Sequence, residues 1–429
     1  MDIKITPSQV SGTLDVISSK SLVHRLLICA ALSGKDTCIN LNGISDDILS
    51  TVRCLEVMGS SVKIERRKLL VTPLKKPLPD APPSSVAFHC GESGTTARFI
   101  LPLAAHFFDK YTLTGDGKLP QRPFAPLCEA LRSVGCVFDN NRLPMTGTGR
   151  VSKGKFKIAG NISSQFISGL LLLLPLLDSE SRVKVTTPLE SDGYVQMTIE
   201  AMALFGIAVE KDKASYYISG NRRYDSPGTV TAEGDWSNAA FFMCMSALRG
   251  PRHAGEISLR GLSMRSDQGD KEIVELLRRF GATVNTAGEE GITVKAGTLR
   301  GIDIDASQIP DLVPPLSVVA SVAEGETKIY NARRLRLKES DRILSTSAML
   351  SALGADVRTT EDGLIIRGKE KLRGGIVDGA GDHRIVMSAA AASCLCESPV
   401  VIKGFMAVNK SYPGFFGDFK TMGGVADVL

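Results

Sequence analysis

Residues 91–105 read G-E-S-G-T-T-A-R-F-I-L-P-L-A-A, a turn of glycine and small hydroxyl residues that runs straight into an apolar helix pattern. The first N–H groups of a helix lack partners within it, and Gly94 has no side chain to keep an anion away, so the turn is able to hold a phosphate. Alone, the stretch reads as an ordinary capped core helix, since it lacks the G-K-[ST] ending of a nucleotide P-loop. Its recurrence changes that reading.

Apolar helices of similar length are expected over residues 19–32, 94–107, 164–177, 235–248, 310–323 and 382–395, with starts about 70 to 75 residues apart. Each opens on cap-type or charged residues and then turns almost wholly apolar. A second series alternates with the first, in which an amphipathic helix ends at Gly59, Gly135, Gly206, Gly281, Gly354 or Gly423 and a valine-containing strand pattern follows. At Gly281 the logic is plain: Ile273, Val274, Leu276, Leu277 and Phe280 form one apolar stripe, glycine supplies the left-handed closing residue, and Val284 begins the next strand. The chain therefore reads as six α/β repeats of two helices each, grouped three plus three, because 429 residues exceed what one core usually serves.

Composition sets further bounds. With 43% hydrophobic and 23% charged residues and no biased tract, the chain reads as a globular protein. Nine cysteines without a C-x-x-C pair, several inside apolar patterns, suggest reduced thiols and a cytoplasmic location. No signal-peptide pattern opens the sequence, and the greasiest run, residues 166–177, is too short to span a bilayer, so a membrane association is not expected. A net charge of +5 leans towards anionic ligands but is too mild and scattered to indicate nucleic acid. No His pair or Cys/His spacing suggests a metal.

Several polar groups gather at the helix starts. Lys20, Ser21 and Arg25 fall within about one and a half turns, and a cation in a first turn opposes the helix dipole unless an anion answers it. Arg122 lies between Pro120 and Pro123 on a stiff extended backbone suited to forked phosphate recognition. Ser163, Ser164 and Gln165 offer neutral donors at another helix start, with Ser191 and Tyr194 in a later polar turn. Asp311 opens an apolar helix, as a simple cap does. Arg333, Arg334, Arg336, Lys338 and Arg342 surround Glu339 and Asp341, and their alternation with Leu335 and Leu337 reads as an extended strand with one basic face. Asp382-His383-Arg384 and Lys410-Ser411-Tyr412-Pro413 complete the set.

Together these motifs resemble the 5-enolpyruvylshikimate-3-phosphate synthases, from the first helix to the last. The carriers are S-K-S-L-V-H-R at 19–25, E-S-G-T-T-A-R at 92–98, Q-R-P at 121–123, S-S-Q at 163–165, P-D at 310–311, L-K-E-S-D-R at 337–342, D-H-R at 382–384 and N-K-S-Y-P at 409–413. The resemblance implies a two-domain inside-out α/β barrel, each domain of three βαβαββ repeats, with the active site in the interdomain cleft. It assigns residues 19–233 to one domain and residues 1–18 with 234–429 to the other. It also implies transfer of the enolpyruvyl group of phosphoenolpyruvate to the 5-hydroxyl of shikimate 3-phosphate, with release of phosphate, through a tetrahedral intermediate not bonded to the enzyme. No cofactor or metal is implied, nor any nucleic-acid or membrane partner, and the implied enzyme is a cytoplasmic monomer.

By position, the resemblance makes Lys20, Ser21, Arg25, Ser163, Ser164, Gln165, Ser191, Asp311 and Lys338 ligands of shikimate 3-phosphate, with Tyr194 nearby. It makes Lys20, Gly94, Arg122, Gln165, Arg342, Arg384 and Lys410 ligands of phosphoenolpyruvate. Asp311 would accept the hydroxyl proton and Glu339 would protonate the methylene carbon, with Lys20 sharing either role. Two positions depart from the family pattern: Glu92 stands where many members carry Asn, and Arg334 where some carry Asn. The related transferase that uses UDP-N-acetylglucosamine follows its first-helix lysine with asparagine and carries a loop cysteine. Here Ser21 follows Lys20, and residues 115–123 hold no cysteine. A non-catalytic phosphate-binding module or a weakly basic nucleic-acid binder would have no use for Asp311, Glu339 and Lys20 together.

Overall fold

The computed structural model describes residues 1–74, 85–248, 255–288 and 291–429. Its chain divides into two compact units, Ser19–Ala232 (the inserted unit) and Met1–Ser18 with Glu233–Leu429 (the split unit). The inserted unit carries helices Lys20–Leu32 (α1), Asp46–Val57 (α2), Gly94–Phe107 (α3), Ala125–Arg132 (α4), Ser164–Leu173 (α5) and Asp192–Leu204 (α6). The split unit carries Trp236–Ala247 (α7), Ile273–Phe280 (α8), Val313–Ala320 (α9), Arg342–Ala352 (α10), His383–Ala392 (α11) and Phe415–Thr421 (α12).

The odd-numbered helices are the six apolar ones. Every residue of α7 is buried, and α7, α9 and α11 pack on one another, as α3 does on α1 and α5. Complete burial of a leucine such as Leu171 or Leu172 stabilises the fold by about 1.5–3 kcal/mol. Each unit closes its own hydrophobic cluster around these helices. Three of the expected helices are shorter than their apolar runs, among them α11, which gives way to a 3-10 turn at Ser393–Leu395. Helix α5 stops at Leu173 and Leu174–Leu176 tightens into a 3-10 turn, because Pro175 has no N–H to donate and its ring crowds the preceding turn. Pro310–Leu312 is likewise a 3-10 turn leading into α9.

The even-numbered helices end as their sequences indicate. Gly59, Gly135, Gly206, Gly281, Gly354 and Gly423 all have positive φ, from 78° at Gly206 to 107° at Gly281. At Gly281 an added Cβ would also lie 2.2 Å from the carbonyl oxygen of Thr298, so both conformation and space call for glycine.

Among the described residues there are six four-stranded sheets with one shared order: two parallel strands, then two antiparallel ones, which are a hairpin in every sheet but the one that pairs the two chain ends. In the third repeat, for example, Lys155–Ile158 runs parallel to Ser181–Val185 across α5, and Val183 faces Tyr216 in the hairpin Glu210–Asp212 and Ser215–Ile218 that follows α6. That is a βαβαββ unit. Alternating buried and exposed residues on these strands put the sheets outside and the odd-numbered helices inside each unit. Distant segments close each unit on itself. Thr229–Thr231 pairs with Thr37–Asn40 in the inserted unit, while Asp2–Thr6 pairs with Val400–Lys403 and Val425–Val428 in the split unit.

Residues 333–337 differ from expectation. They form a 3-10 helix rather than a strand, with Leu335 buried and Leu337 49% exposed. The alternation of arginine and leucine therefore did not report two faces of a sheet. Only one leucine enters the core, and Arg336 turns back to the carbonyls of Thr360 and Glu361.

Candidate active site

In the inserted unit the expected residues collect at helix amino-termini. Ser19 caps α1 and accepts from the Leu22 N–H, placing Lys20 in the first turn, where its Nζ lies 2.7 Å from Asp47 Oδ2 in the first turn of α2. Both side chains are mostly buried, at 16% and 12% exposure, so the pair is more than a surface contact. Asp47 was not singled out in the sequence. It offsets the misplaced cation at the start of α1, and only the fold brings the two together.

Ser93 caps α3 through the Thr96 N–H at 3.2 Å, and Gly94 follows as the first helical residue. A Cβ on Gly94 would lie 2.7 Å from Arg122 Nη1 and 2.9 Å from Arg122 Cζ, so glycine leaves room for a guanidinium against the helix amino-terminus. Arg122 itself has extended backbone between the 3-10 turn Leu119–Gln121 and Pro123. Gln165, in the first turn of α5, donates to Thr95 Oγ1 at 2.7 Å and accepts from Arg98 Nη1 at 2.6 Å. Arg98 also donates to the Pro123 carbonyl at 3.3 Å and lies over the rings of Phe124 and Phe166. It thereby ties Gln165, at the start of α5, to the backbone of Pro123, which follows Arg122. Arg98 belongs to a quoted motif, but its sequence position gave no sign of this bridging.

Arg25 is buried and largely engaged. Nε donates to Thr198 Oγ1 at 2.7 Å, Nη1 to the Ser21 carbonyl at 2.6 Å, and Nη2 to the Tyr194 carbonyl at 2.7 Å. Burial lowers its pKa to about 10. Its position ties Ser21 to the turn holding Ser191 and Tyr194, so Arg25 organises the neighbouring donors. Ser191 sits at the start of α6 with φ 56°, and Ser163 occupies the cap position of α5 without a capping bond from its own side chain.

In the split unit, Asp311, Lys338, Glu339, Arg342 and Arg384 form one charged network. Asp311 Oδ1 lies 2.7 Å from Arg342 Nη1 and 3.4 Å from Lys338 Nζ, and Oδ2 lies 3.2 Å from Arg384 Nη2. Burial works against the Asp311 charge, but Arg384, Lys338 and Arg342 outweigh it and hold this carboxyl well below the usual range. Glu339 Oε2 meets Arg342 Nη2 at 2.7 Å. Behind them lies Asp382, fully buried, which caps α11, takes Arg342 Nε at 2.7 Å and Nη2 at 3.2 Å, and accepts from Ser340 Oγ. Asp382 thus fixes the guanidinium that spans both expected acid–base residues. Burial lowers Lys338 to about 8 despite the opposing pull of Asp311. Lys410 Nζ donates to the Gly381 carbonyl at 2.7 Å, beside the start of α11. Asp270, bonded by the Ser237 hydroxyl, is pushed up to about 6 by burial and by Asp311. Arg334 points to the Ser307 carbonyl at 2.7 Å.

Chemically, one unit offers lysine, arginine, amide and helix-terminal donors for anions. The other offers two carboxylates on a shared arginine for proton transfer, with further cations alongside. Among the described residues no cluster of His, Cys, Asp and Glu has the form of a metal site, and no helix is long and apolar enough to cross a membrane.

A family model for EPSP synthase (3-phosphoshikimate 1-carboxyvinyltransferase) matches residues 5–419. The 3-phosphoshikimate 1-carboxyvinyltransferase of Clostridium novyi is 40% identical over 437 residues, covering 99% of this chain and 98% of that one. That of Clostridium acetobutylicum is 41% identical over 444 residues, covering 98% and 97%. The solved EPSP synthase from Acinetobacter baumannii superposes with a TM-score of 0.82 at 26% identity over the full length of both chains. The chain belongs to the EPSP synthase family, and its activity is the transfer of the enolpyruvyl group of phosphoenolpyruvate to shikimate 3-phosphate in the shikimate pathway to aromatic amino acids.

Proposed function

We propose that the 5-hydroxyl of shikimate 3-phosphate adds to C2 of phosphoenolpyruvate while the methylene carbon takes a proton, giving a tetrahedral intermediate held without a bond to the enzyme. Loss of a methyl proton and departure of phosphate then give the enolpyruvyl ether. These steps need anion binding and three proton transfers, off the hydroxyl, onto the methylene carbon and back off the methyl group, so the reading includes no cofactor. The inserted unit's Lys20, Gly94, Arg122 and Gln165 and the split unit's Arg342, Arg384 and Lys410 bind phosphoenolpyruvate. Ser21, Arg25, Ser163, Ser164, Ser191 and Lys338, with Lys20, Gln165 and Asp311, bind shikimate 3-phosphate. Asp311 accepts the hydroxyl proton and Glu339 delivers one to carbon, which requires groups of both units to act on one substrate pair.

The observation that carries this reading is the placement of Asp311 and Glu339 on the same guanidinium, Arg342, each at 2.7 Å. An acid and a base that share one cation keep distinct partners otherwise, and an anion arriving at Arg342 alters both at once. The reading further takes the enzyme as a cytoplasmic monomer. Phosphate release from phosphoenolpyruvate, followed together with the carbon-13 spectrum of the product, tests the chemistry. Release that depends on shikimate 3-phosphate and yields a 5-O-enolpyruvyl ether is expected. Release with UDP-N-acetylglucosamine instead, or a product substituted at another oxygen, would overturn it.

A further inference from the structure

Beneath the Lys20–Asp47 ion pair lies a second, wholly buried layer of polar side chains to which the proposed mechanism assigns no part. His24 stands one turn after Lys20 on α1, and Thr51 one turn after Asp47 on α2. His24 Nδ1 is 2.7 Å from Thr51 Oγ1, which in turn is 2.7 Å from Thr96 Oγ1 in the first turn of α3. Thr96 Oγ1 continues to Ser93 Oγ, the α3 cap, at 2.8 Å, and approaches the Asp47 carbonyl at 3.4 Å. His24, Thr51, Ser93 and Thr96 have no exposed surface. Burial, and then Lys20 and Arg25, hold the His24 pKa well below 6.5, so the ring is neutral at ordinary pH.

The chain thus links three helices near their amino-termini, and Thr96 is its branching point. Through the Asp47 backbone it meets the residue that holds Lys20. Through Ser93 it meets the cap that sets the α3 amino-terminus beside Gly94 and Arg122. A hydroxyl donates one hydrogen, so Thr96 donates to either the Ser93 hydroxyl or the Asp47 carbonyl and accepts from the hydroxyls to which it does not donate, and removing one member strands its neighbours without water to replace it. Helices packed only through apolar side chains can slide by fractions of an ångström at small cost, whereas buried hydrogen bonds of 2.7–2.8 Å cannot.

We infer that Thr96 is a positioning residue for the phosphoenolpyruvate site: it fixes the register of α1, α2 and α3 so that Lys20 and the α3 amino-terminus address one anion. The inference rests on the proposed assignment of those groups to phosphoenolpyruvate. Thr96→Val keeps the shape and removes the hydroxyl, and Thr96→Ser keeps the hydroxyl. Steady-state kinetics with each substrate varied should show Thr96→Val raising KM for phosphoenolpyruvate about tenfold or more, with KM for shikimate 3-phosphate within about twofold, and Thr96→Ser restoring wild-type values. Thr51→Val breaks the same chain one link away and is expected to give the same split, which keeps the test open should Thr96→Val be insoluble. Lys20→Ala separates the two claims. If it leaves phosphoenolpyruvate kinetics unchanged, the site assignment falls. If it abolishes turnover while Thr96→Val and Thr51→Val behave as wild type, or raise both KM values equally, the positioning role falls.

Discussion

Replacing Gly94 by alanine isolates one contact at the proposed phosphoenolpyruvate site. The new methyl carbon would stand 2.7 Å from Arg122 Nη1, 2.9 Å from Cζ and 3.1 Å from Nη2, whereas ordinary contact begins near 3.4 Å. The guanidinium must therefore withdraw by about 0.7 Å, since helix backbone yields less readily than a side-chain end. A charged hydrogen bond of about 2.8 Å stretched by that amount leaves the bonding range, and losing one such bond costs about 1.5–3 kcal/mol. KM for phosphoenolpyruvate should then rise roughly ten- to hundredfold, while KM for shikimate 3-phosphate changes by less than about threefold. Stability should not fall, because Gly94 has no positive φ and alanine is the better helix former by about 0.5–1 kcal/mol. Initial rates with each substrate varied, in wild-type and Arg122→Lys backgrounds, make the test specific. Without the forked head, Gly94→Ala should cost little more. A full effect in the Arg122→Lys background, or equal rises in both KM values, would show that displacement of Arg122 is not the cause.

Glu339→Gln removes a proton donor while keeping shape, and should slow turnover about a hundredfold or more with both substrates still bound by titration calorimetry; near-normal turnover would take Glu339 out of the mechanism. Lys338, lowered to about 8 by burial, loses its charge as pH rises through that value, so affinity for shikimate 3-phosphate should weaken above pH 8 and the inflection should vanish in Lys338→Arg. His24 is held neutral below its ordinary 6.5, so the unfolded chain binds a proton that the folded one does not; the stability this contributes is complete above pH 6.5 and declines below it by up to about 1.4 kcal/mol per pH unit. Urea unfolding between pH 7 and 5 should show a slope shallower by one proton in His24→Gln, and an unchanged slope would mean that the ring is charged in the fold.

The helices and their closing glycines were legible because local chemistry settles them. An apolar run with a capped start has one stable solution, and a glycine after an amphipathic stripe marks a left-handed closure, as at Gly281. The strand pairing of Asp2–Thr6 with Val400–Lys403 was not legible from pattern, since alternation says that a strand exists and nothing about its neighbour. Alternation also misled at residues 333–337, where a 3-10 helix buries one leucine and exposes the next. In the charged regions, residue type identified the cations, but the carboxylates that hold them depend on tertiary structure. Asp47 lies 27 residues from Lys20, and Asp382 lies 40 from Arg342.

Those carboxylates bear on the order of events. A cation buried without a partner costs several kcal/mol, so the free protein must supply one: Asp47 for Lys20, and Asp311, Glu339 and Asp382 for Arg342. On the proposed assignment, phosphoenolpyruvate does not meet bare positive charge. It exchanges one carboxylate partner for another, which limits the desolvation cost of binding and makes the match of geometry decisive for affinity. The exchange is uneven on that assignment. Asp382 takes two bonds from Arg342 and is fully buried, so it would keep its hold, whereas Asp311 and Glu339 each take one from Arg342 and would be the partners an incoming anion displaces. A carboxylate that loses a cation and gains an anionic neighbour binds a proton more tightly. Asp311, held ionised and weakly basic by three cations before substrate arrives, would on the proposed assignment become a stronger proton acceptor when those cations turn to the substrates. On the proposed roles, the base is thus made ready by the arrival of the anion it serves.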